Sequence, residues 1–354
     1  MITDLAQLHP QRVCIIKPSS LGDVVHALPV LAALHDRWPH SHFSWVINQS
    51  LTRLVAEHPA LDEVIPFDRG SMNGGPRGIA NFCRFLHMLR SKRFDLTIDL
   101  QGLLRSGLMA AATGAPVRVG LAEAREGSRL FLTHPIKPSP TTTHAVDKLL
   151  AVAEALGAAV DSPRFVVPIS ESERTWARQI LNATPRPILV LNPGARWLTK
   201  RWPPEHFAEI ARRAVEHHRV GLVVVGAPED QPLAAALRVA LAGLPLLDLA
   251  GKTTLGQLAA VIEASEVFVS NDTGPLHLAA AVGAKTVGIF TCTSPLKTGA
   301  YGPKALSARS CVWCAPSFVK TCDRLECMSE LSPDRVWPCV QLQLDSSNAG
   351  QSAA

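Results

Sequence analysis

The stretch "CIIKPSSLGDVVHALPVL", residues 14–31, contains in one short run the features that decide the fold. Its apolar start predicts a buried strand, residues 17–20 form a small polar loop, and a helix-like segment follows Gly22 and Asp23. A strand, a short loop and a helix start are typical of parallel α/β folds, in which helix N-termini attract anions. A carboxylate is unexpected in a phosphate site, so Asp23 either caps the helix or takes part in chemistry.

The same alternation of apolar runs and helical patterns continues along the first half and predicts a parallel sheet covered by helices. The predicted strands are Val13–Ile16, His42–Ile47, Glu63–Pro66 and Asp95–Leu100, with helical patterns at Leu28–Arg37 and Ile79–Arg90. Pro29 predicts that the first helix is kinked or short. After Asp161 a proline-rich segment predicts a linker with one helix, because Ser170 and Glu173 form a capping-box pattern.

The second half begins the alternation again after Pro187 and predicts a second sheet of the same kind. Predicted strands lie at residues 188–191, 220–227, 246–251, 267–270 and 286–290, with helices after Pro204 and near residues 232–241, 255–264 and 274–283. The fold class is therefore α/β, with two doubly wound Rossmann-like domains facing each other across a cleft. We expect an N-terminal domain at residues 1–165, a linker at 166–187, a C-terminal domain at 188–345 and a flexible tail at 346–354.

The composition is that of a globular protein, with 47% apolar and 18% charged residues among 354. A single tyrosine argues against an aromatic platform that stacks single-stranded nucleic acid, and no nucleic-acid partner is expected. The net charge of +5 suits an acidic ligand or an anionic membrane surface but requires neither. The first residues lack the pattern of a signal peptide, and no apolar run approaches the roughly 20 residues of a membrane span. We therefore expect a cytoplasmic protein with reduced thiols.

Several well-known site patterns are absent from the sequence. It contains neither the GxGxxG dinucleotide fingerprint after an early strand nor the GxxxxGK[ST] phosphate loop. The HExxH and GxSxG patterns of hydrolases are also missing. The Asp-x-Asp pair that holds a divalent metal and a nucleotide sugar in many glycosyltransferases is missing too. Positive side chains and helix N-termini would then have to bind any phosphates.

The strongest motif of the second half is "SNDTGPLHLAAAVG", residues 270–283. Gly274 permits close approach of the backbone and Pro275 suits a first helical turn, so this helix start can present N–H groups to a diphosphate. The alternative is a well-capped core helix, because Asp272 and Thr273 are good capping residues. Two nearby segments add candidates: "LNPGARWLTKRWP" contains Lys200 beside Arg196 and Arg201, and "VVVGAPEDQ" offers the Glu229 carboxylate to ribose hydroxyls or begins a helix.

In the first half, "LTIDLQGLLRSG" places Asp99, Gln101 and Gly102 at a predicted strand end, on the same side of the sheet as Asp23. A basic stretch also runs from Arg69 to Phe94 without any acidic residue. Within it Arg77 and Arg84 are seven residues apart and share one helix face. This stretch is either a solvated face or a docking surface for a phosphorylated or carboxylated acceptor.

Taken together, "KPSSLGDVVHALP", "DLQGLLRS", "HAVDK", "NPGARWLTKRWP" and "SNDTGPLHLAAA" resemble, in this order, the heptosyltransferases of glycosyltransferase family 9. The resemblance covers about residues 13–295. It implies a GT-B fold with a metal-independent active site between two Rossmann-like domains. It also implies transfer of heptose from an ADP-activated donor to the inner core of lipopolysaccharide, with inversion of the anomeric centre.

The resemblance also implies roles for individual residues of this sequence. Asp23 becomes the general base that deprotonates the acceptor hydroxyl, and Lys200 holds the donor diphosphate. Donor binding is expected of Gly194, Arg196, Glu229, Asp272, Thr273, Gly274 and the supporting His277. Acceptor binding is expected of Ser19, Ser20, Gly22, Arg77, Arg84, Asp99 and Gln101.

Three further expectations concern partners and metals. The resemblance implies that the donor is ADP-heptose and that the acceptor is lipid A bearing Kdo or an already heptosylated core. We expect the protein to be a monomer in peripheral contact with the inner face of the cytoplasmic membrane. A related transferase with another nucleotide sugar, and a non-catalytic sugar-nucleotide or glycolipid binding protein, are the alternatives. Four C-terminal cysteines, Cys311, Cys314, Cys322 and Cys327, either form a structural zinc site without a catalytic part or remain reduced thiols.

Overall fold

The structure, a computed structural model, describes residues 4–70 and 74–351, with side chains as far as residue 347. The chain divides into two compact units, residues 1–168 and 169–354. The segment expected as a linker contains a helix, Glu171–Leu181, that lies in the second unit. The expected capping box is present there, because Ser170 N donates to Glu173 Oε2 at 2.8 Å.

The first unit is built on a six-stranded parallel sheet. Its strands are β1 (Arg12–Ile16), β2 (His42–Asn48), β3 (Glu63–Phe67), β4 (Leu96–Asp99), β5 (Val117–Leu121) and β6 (His134–Ile136), in the order β3-β2-β1-β4-β5-β6. Its helices are α1 (Leu21–Arg37), α2 (Gly75–Ser91), α3 (Leu104–Thr113) and α4 (Ala145–Ala155). The four predicted strands are present, and the last two strands of the sheet are additional.

The central strand β1 is apolar on both faces because helices cover the sheet on both sides. Cys14 and Ile16 pack with Phe85 and Leu89 of α2, and all four side chains belong to one buried cluster. Parallel pairing of β1 with both β2 and β4 places Ile16 opposite Val46 and Asp99. The loop that follows β1 therefore begins at the centre of the carboxyl edge of the sheet.

The first helix is longer than the sequence predicts. It begins at Leu21, where the sequence predicts a helix-like segment beside Gly22 and Asp23, but it runs to Arg37 with Pro29 in its interior and is not short. Proline inside a helix removes one backbone hydrogen bond and costs about 3 kcal/mol. Burial of the residues around Pro29, from Val24 to Leu31, offsets that cost because each buried aliphatic side chain contributes about 1.5–3 kcal/mol.

The second unit repeats the plan of the first. Its strands are β7 (Ile188–Asn192), β8 (Gly221–Val224), β9 (Leu246–Asp248), β10 (Val267–Asn271), β11 (Lys285–Phe290) and β12 (Ala305–Arg309), in the order β12-β11-β10-β7-β8-β9. Its helices are α5 (Glu171–Leu181), α6 (Pro204–His218), α7 (Gln231–Ala240), α8 (Leu255–Glu263), α9 (Gly274–Ala281), α10 (Pro295–Thr298), α11 (Glu326–Glu330) and α12 (Pro333–Gln351). Counted from the first strand of each unit, both sheets have the Rossmann order.

The C-terminal segment differs from the flexible tail expected from Ser346 onward. Helix α12 continues to Gln351. It is held to the sheet because Lys285 Nζ donates to the hydroxyls of Ser346 and Ser347, each at 2.9 Å. The small polar composition of this segment indicated fraying, but the contacts with Lys285 extend the helix; residues 352–354 lie outside the described part of the chain.

Each sheet has a switch point, where successive connections leave toward opposite edges of the sheet. In the first unit it lies between β1 and β4, and in the second between β7 and β10. Ligands of doubly wound folds bind outside the carboxyl ends of the strands at such points. None of the helices within residues 4–70 and 74–351 is long and apolar enough to cross a membrane.

Candidate active site

In the first unit, strand β1 is followed directly by a residue with a buried, positively charged side chain. Lys17 is only 6% exposed, and its Nζ donates to the carbonyl of Leu100 at 2.8 Å. Burial lowers the pKa of Lys17, whereas the neighbouring carboxylates of Asp23 and Asp99 oppose that shift. This buried charge could not be predicted from the sequence, because a lysine at the start of a polar loop is usually solvated.

Asp23 lies one turn into α1 and is partly exposed. Its Oδ2 accepts hydrogen bonds from Ser20 N at 2.8 Å and Ser20 Oγ at 2.7 Å. Burial by itself would raise the pKa of Asp23, but the charge of Lys17 and the two bonds from Ser20 outweigh it and lower that pKa. The carboxylate is therefore ionised at neutral pH, and the capping interpretation of Asp23 is confirmed.

Capping does not prevent Asp23 from acting as a base. A carboxylate has two oxygens and about four lone-pair sites, and both bonds from Ser20 go to the same oxygen. Gly22 is buried at the helix start, while Ser19 and Ser20 form the more accessible part of the loop. Ser19 N also donates to Gln101 Oε1 at 3.3 Å, which joins this loop to the loop after β4.

The structure places Asp99 inside the protein, and its contact with an acceptor stays a prediction. Asp99 is 2% exposed, and its Oδ1 accepts from the backbone N–H groups of Gln101 at 2.9 Å and Gly102 at 3.0 Å. The hydroxyls of Ser106 and Ser128 lie 3.0 and 3.1 Å from Oδ2. Burial raises the pKa of Asp99 in spite of these bonds. Asp99 thus shapes the loop in which Gln101 is held.

The basic stretch of the first unit is only partly free for a ligand. Arg77 and Arg84 are exposed on α2, where Arg84 donates to Asn81 Oδ1 at 3.1 Å. Lys92 forms an ion pair with Glu63, and the guanidinium of Arg90 lies directly over Gly114. Arg77 and Arg84 therefore remain candidates for an acceptor surface, whereas Lys92 already has a structural partner.

In the second unit, the loop after β7 is held at both ends by one buried amide. Asn271 Nδ2 donates to the carbonyl of Pro193 at 2.8 Å, and Asn271 Oδ1 accepts from Trp202 N at 3.2 Å. The Trp202 indole is completely buried and donates to Leu331 O at 2.7 Å. Residues 193–202 are thereby fixed against the carboxyl end of β10.

Lys200 lies in this loop and forms an ion pair with Asp272. Its Nζ is 2.6 Å from Asp272 Oδ2, which also accepts from the hydroxyl of Thr293 at 2.7 Å. The Lys200 ammonium lies 4.7 Å from the centroid of the Trp197 ring, close enough for a cation–π interaction. Asp272 is 3% exposed, so its carboxylate lies inside the protein, where it positions Lys200. Direct contact between Asp272 and the donor stays a prediction.

Helix α9 begins beside this ion pair. The hydroxyl of Thr273 accepts from Asn192 Nδ2 at 3.1 Å, and its side chain makes no capping hydrogen bond with the described α9 backbone. The backbone at Gly274 is therefore not covered by a capping side chain from Thr273. His277 is buried one turn later, with Nε2 3.7 Å from Asp272 Oδ1, which agrees with a supporting role.

The remaining donor candidates differ in exposure. Glu229 is exposed on a short 3-10 turn, and Arg196 is exposed in the loop after β7. Gly194 is required for packing, because a Cβ there would lie 2.2 Å from Asp230 Oδ2. Burial raises the pKa of Asp230, which also accepts from Ala227 N at 3.0 Å. Glu229 and Asp230 are neighbours in the sequence, but only the structure shows that the Asp230 side chain points inward.

The four cysteines of the possible zinc site differ in their surroundings. In the described ranges no three His, Cys, Asp or Glu side chains are arranged to hold a metal ion. Cys327 is buried in the hydrophobic core of the second unit, whereas Cys314 and Cys322 are exposed. Cys311 Sγ lies 3.3 Å from Arg335 Nη2. Sequence spacing could not show that one of the four thiols packs in the core.

Comparison with known proteins identifies relatives of this architecture. The model of glycosyltransferase family 9 (heptosyltransferase) matches residues 82–328. Lipopolysaccharide heptosyltransferase 1 of Pseudomonas aeruginosa is 34% identical, over 88% of this chain and 87% of the relative. A family 9 glycosyl transferase from Veillonella parvula superposes with a TM-score of 0.79 at 25% identity, over 95% of this chain and 97% of that one.

A second solved structure, E. coli heptosyltransferase WaaC with ADP-2-deoxy-2-fluoro heptose, is 26% identical with a TM-score of 0.70, over 93% of this chain and 99% of that one. The expected α/β architecture with two Rossmann-like sheets is confirmed by the strand orders and by these neighbours. The match of the family model covers more than half of the chain, and the P. aeruginosa relative covers most of it. This chain belongs to glycosyltransferase family 9 and is a glycosyltransferase.

Proposed function

We propose that this protein transfers heptose from ADP-L-glycero-D-manno-heptose to the Kdo or heptose inner core of lipopolysaccharide, with inversion of the anomeric centre. The observation that carries the proposal is the pair of groups at the two switch points. The first unit presents an ionised carboxylate, Asp23, and the second presents an ordered ammonium, Lys200. The relatives named as heptosyltransferases, one solved with an ADP-heptose analogue, supply the substrate class.

In this mechanism Asp23 acts as the general base. The acceptor oxygen forms a bond to the anomeric carbon of the donor, and its proton passes to the Asp23 carboxylate. The bond between the anomeric carbon and the β-phosphate oxygen breaks, and ADP leaves with that electron pair. General base catalysis of this kind typically accelerates a reaction by about 100- to 10,000-fold.

Lys200 and the start of α9 stabilise the departing ADP. Negative charge grows on the β-phosphate as the bond breaks, and a fixed ammonium beside it lowers the energy of the transition state. Thr273 and Gly274 bind the diphosphate through the first backbone groups of α9. Glu229 accepts hydrogen bonds from the ribose, while Gly194, Arg196 and His277 shape the remainder of the donor site.

The acceptor binds to the first unit beside Asp23. Ser19, Ser20 and Gln101 contact its sugar hydroxyls, and Arg77 and Arg84 on α2 contact its anionic groups. The acceptor is lipid A carrying Kdo or a heptosylated core, so the protein acts in the cytoplasm, at the inner face of the cytoplasmic membrane. We further propose that it is a monomer. The reaction proceeds without a metal ion, which agrees with a sequence that lacks Asp-x-Asp.

The direct test is an assay of the purified protein with ADP-heptose and lipid A bearing one or two Kdo sugars. Mass spectrometry of the lipid is expected to show addition of a single heptose, together with release of ADP. Thermal shifts with ADP and UDP are measured in parallel, and only ADP is expected to stabilise the fold. Stabilisation by UDP alone, or ADP binding without transfer to any core acceptor, would contradict the proposal.

A further inference from the structure

An anionic ligand at Lys200 needs more positive charge than Lys200 alone supplies, because Lys200 already forms an ion pair. Its ammonium is bound to the buried carboxylate of Asp272 at 2.6 Å, so the pair as a whole is formally neutral. A diphosphate is an anion, and its negative charge increases as the sugar departs. A site for such a ligand therefore needs a further positive group near Lys200.

The C-terminal segment reaches the same loop across more than a hundred residues of sequence. Thr199 Oγ1 donates to the carbonyl of Val319 at 2.6 Å, and Phe318 N donates to the carbonyl of Cys292 at 2.9 Å. The ammonium of Lys297 lies 5.4 Å from the centroid of the Phe318 ring. These contacts fix residues 318 and 319 against the loop that contains Lys200.

The next residue, Lys320, is placed over the same aromatic ring as Lys200. Its Nζ lies 5.5 Å from the centroid of the Trp197 ring, and that of Lys200 lies 4.7 Å from it. Lys320 is exposed, and no ion pair between residues of the described ranges includes it. Lys320 therefore adds a formal positive charge beside the formally neutral Lys200–Asp272 pair, close enough for one anion to lie near both ammonium groups.

We propose that Lys320 is a second diphosphate-binding residue of the donor site, held in place by Trp197 and by the contact between Thr199 and Val319. This inference rests on the proposed function, since it assumes that ADP binds at Lys200. In the bound state Lys320 supplies the net positive charge that the Lys200–Asp272 pair lacks. Trp197 lies close enough to both ammonium groups for a cation–π interaction with each.

The test measures ADP and AMP affinity of the full-length protein by calorimetry at low salt. Lys320→Gln is expected to weaken ADP binding about 2- to 5-fold, as for an exposed charge contact, and to weaken AMP binding less. Lys320→Arg is expected to stay within about 2-fold of the wild type, because it keeps the charge. The loss in Lys320→Gln should shrink at about 0.5 M salt, where exposed charges are screened.

Lys304→Gln is the matched control. Lys304 is exposed in the same unit, but it precedes β12 at the amino end of the sheet, away from the carboxyl ends of the strands. The ADP affinity of the Lys304→Gln variant is expected to equal that of the wild type. If Lys320→Gln and the wild type bind ADP with equal affinity at low salt, this inference is wrong, but the proposed function is unaffected. A wild-type protein that binds no ADP would overturn both this inference and the proposed function.

Discussion

The two units contain the same pair of residue types at their switch points, with the burial reversed. In the first unit the lysine is buried, since Lys17 is 6% exposed, and Asp23 is the more accessible partner. In the second unit the carboxylate is buried, since Asp272 is 3% exposed and the Lys200 side chain is 18% exposed. In each unit the buried member acts on the exposed one from inside, because Lys17 lowers the pKa of Asp23 and Asp272 binds Lys200. The exposed member is the one that a substrate can reach.

The largest effect is expected from removing the charge of the exposed carboxylate. Asp23→Asn keeps an oxygen that can accept from Ser20 N, so the helix cap survives, but the amide cannot take a proton. We expect kcat to fall about 100- to 10,000-fold with ADP affinity unchanged. Steady-state kinetics and calorimetry measure the two quantities.

Asp36→Asn is the matched control for that variant, because Asp36 is exposed in the last turn of the same helix. It should retain wild-type kcat. Near-normal turnover of Asp23→Asn would show that Asp23 is only a cap, and the contrast between the two units would then lose its catalytic meaning.

Removing the exposed ammonium of the second unit should affect binding as well as rate. Lys200→Ala deletes a charged donor, and hydrogen bonds to charged groups contribute about 1.5–3 kcal/mol. ADP affinity is therefore expected to fall about 10- to 100-fold, together with kcat. Thermal denaturation checks that the unpaired Asp272 has not unfolded the unit. Unchanged ADP affinity in a folded variant would place the phosphate site elsewhere.

His58 differs from the Lys17–Asp23 and Lys200–Asp272 pairs. It is a buried titratable group whose Nε2 has no hydrogen-bond partner among the described residues. Its Nδ1 accepts from Ala60 N at 3.1 Å, and burial lowers its pKa from 6.5 to about 4. The unfolded chain then binds more protons than the folded one between pH 6.5 and 4. The free energy of unfolding should therefore fall by up to about 3 kcal/mol as the pH is lowered through that window.

Denaturant titrations of the wild type and His58→Asn at neutral and acidic pH measure this loss. The variant keeps an acceptor for Ala60 N but removes the titrating ring, so its stability should depend less on pH. An identical pH dependence in both proteins would show that protonation of His58 does not oppose folding.

The smallest effect on neutral-pH activity is expected from the buried lysine of the first unit. Lys17 helps to lower the pKa of Asp23, so Lys17→Met should raise that pKa. A base must be ionised to act, so the acid limb of the kcat/KM profile should move to higher pH, with little change near pH 7. Superimposable acid limbs would mean that Lys17 does not tune Asp23.

The sequence predicted the repeated architecture well because strands buried on both faces appear as apolar runs. It missed β5 and the two edge strands β6 and β12, and β6 has only three residues, His134–Ile136. It also could not distinguish accessible carboxylates from enclosed ones. Asp99 and Asp272 follow strand ends as Asp23 follows β1, and their burial depends on serine and threonine side chains from other elements.

Long-range contacts were equally hidden. Thr293 and Lys320 contribute to the surroundings of Lys200 only because the chain returns to β7 from β11 and from the C-terminal segment. A hydroxyl or lysine in those segments has no local pattern that marks it. The motif around Lys200, by contrast, could be found because glycine, proline and basic residues cluster in one loop.

The two hydrogen bonds of Asn271 to the loop after β7 have a consequence for ligand affinity. Ordering a flexible loop costs conformational entropy of roughly 1–2 kcal/mol for each residue whose backbone is fixed. Because Asn271 already ties Pro193 and Trp202 to β10, the backbone between them loses that entropy when the protein folds and not when a ligand arrives. The free energy of contacts made at Lys200 is therefore available for binding, at the expense of the stability of the second unit.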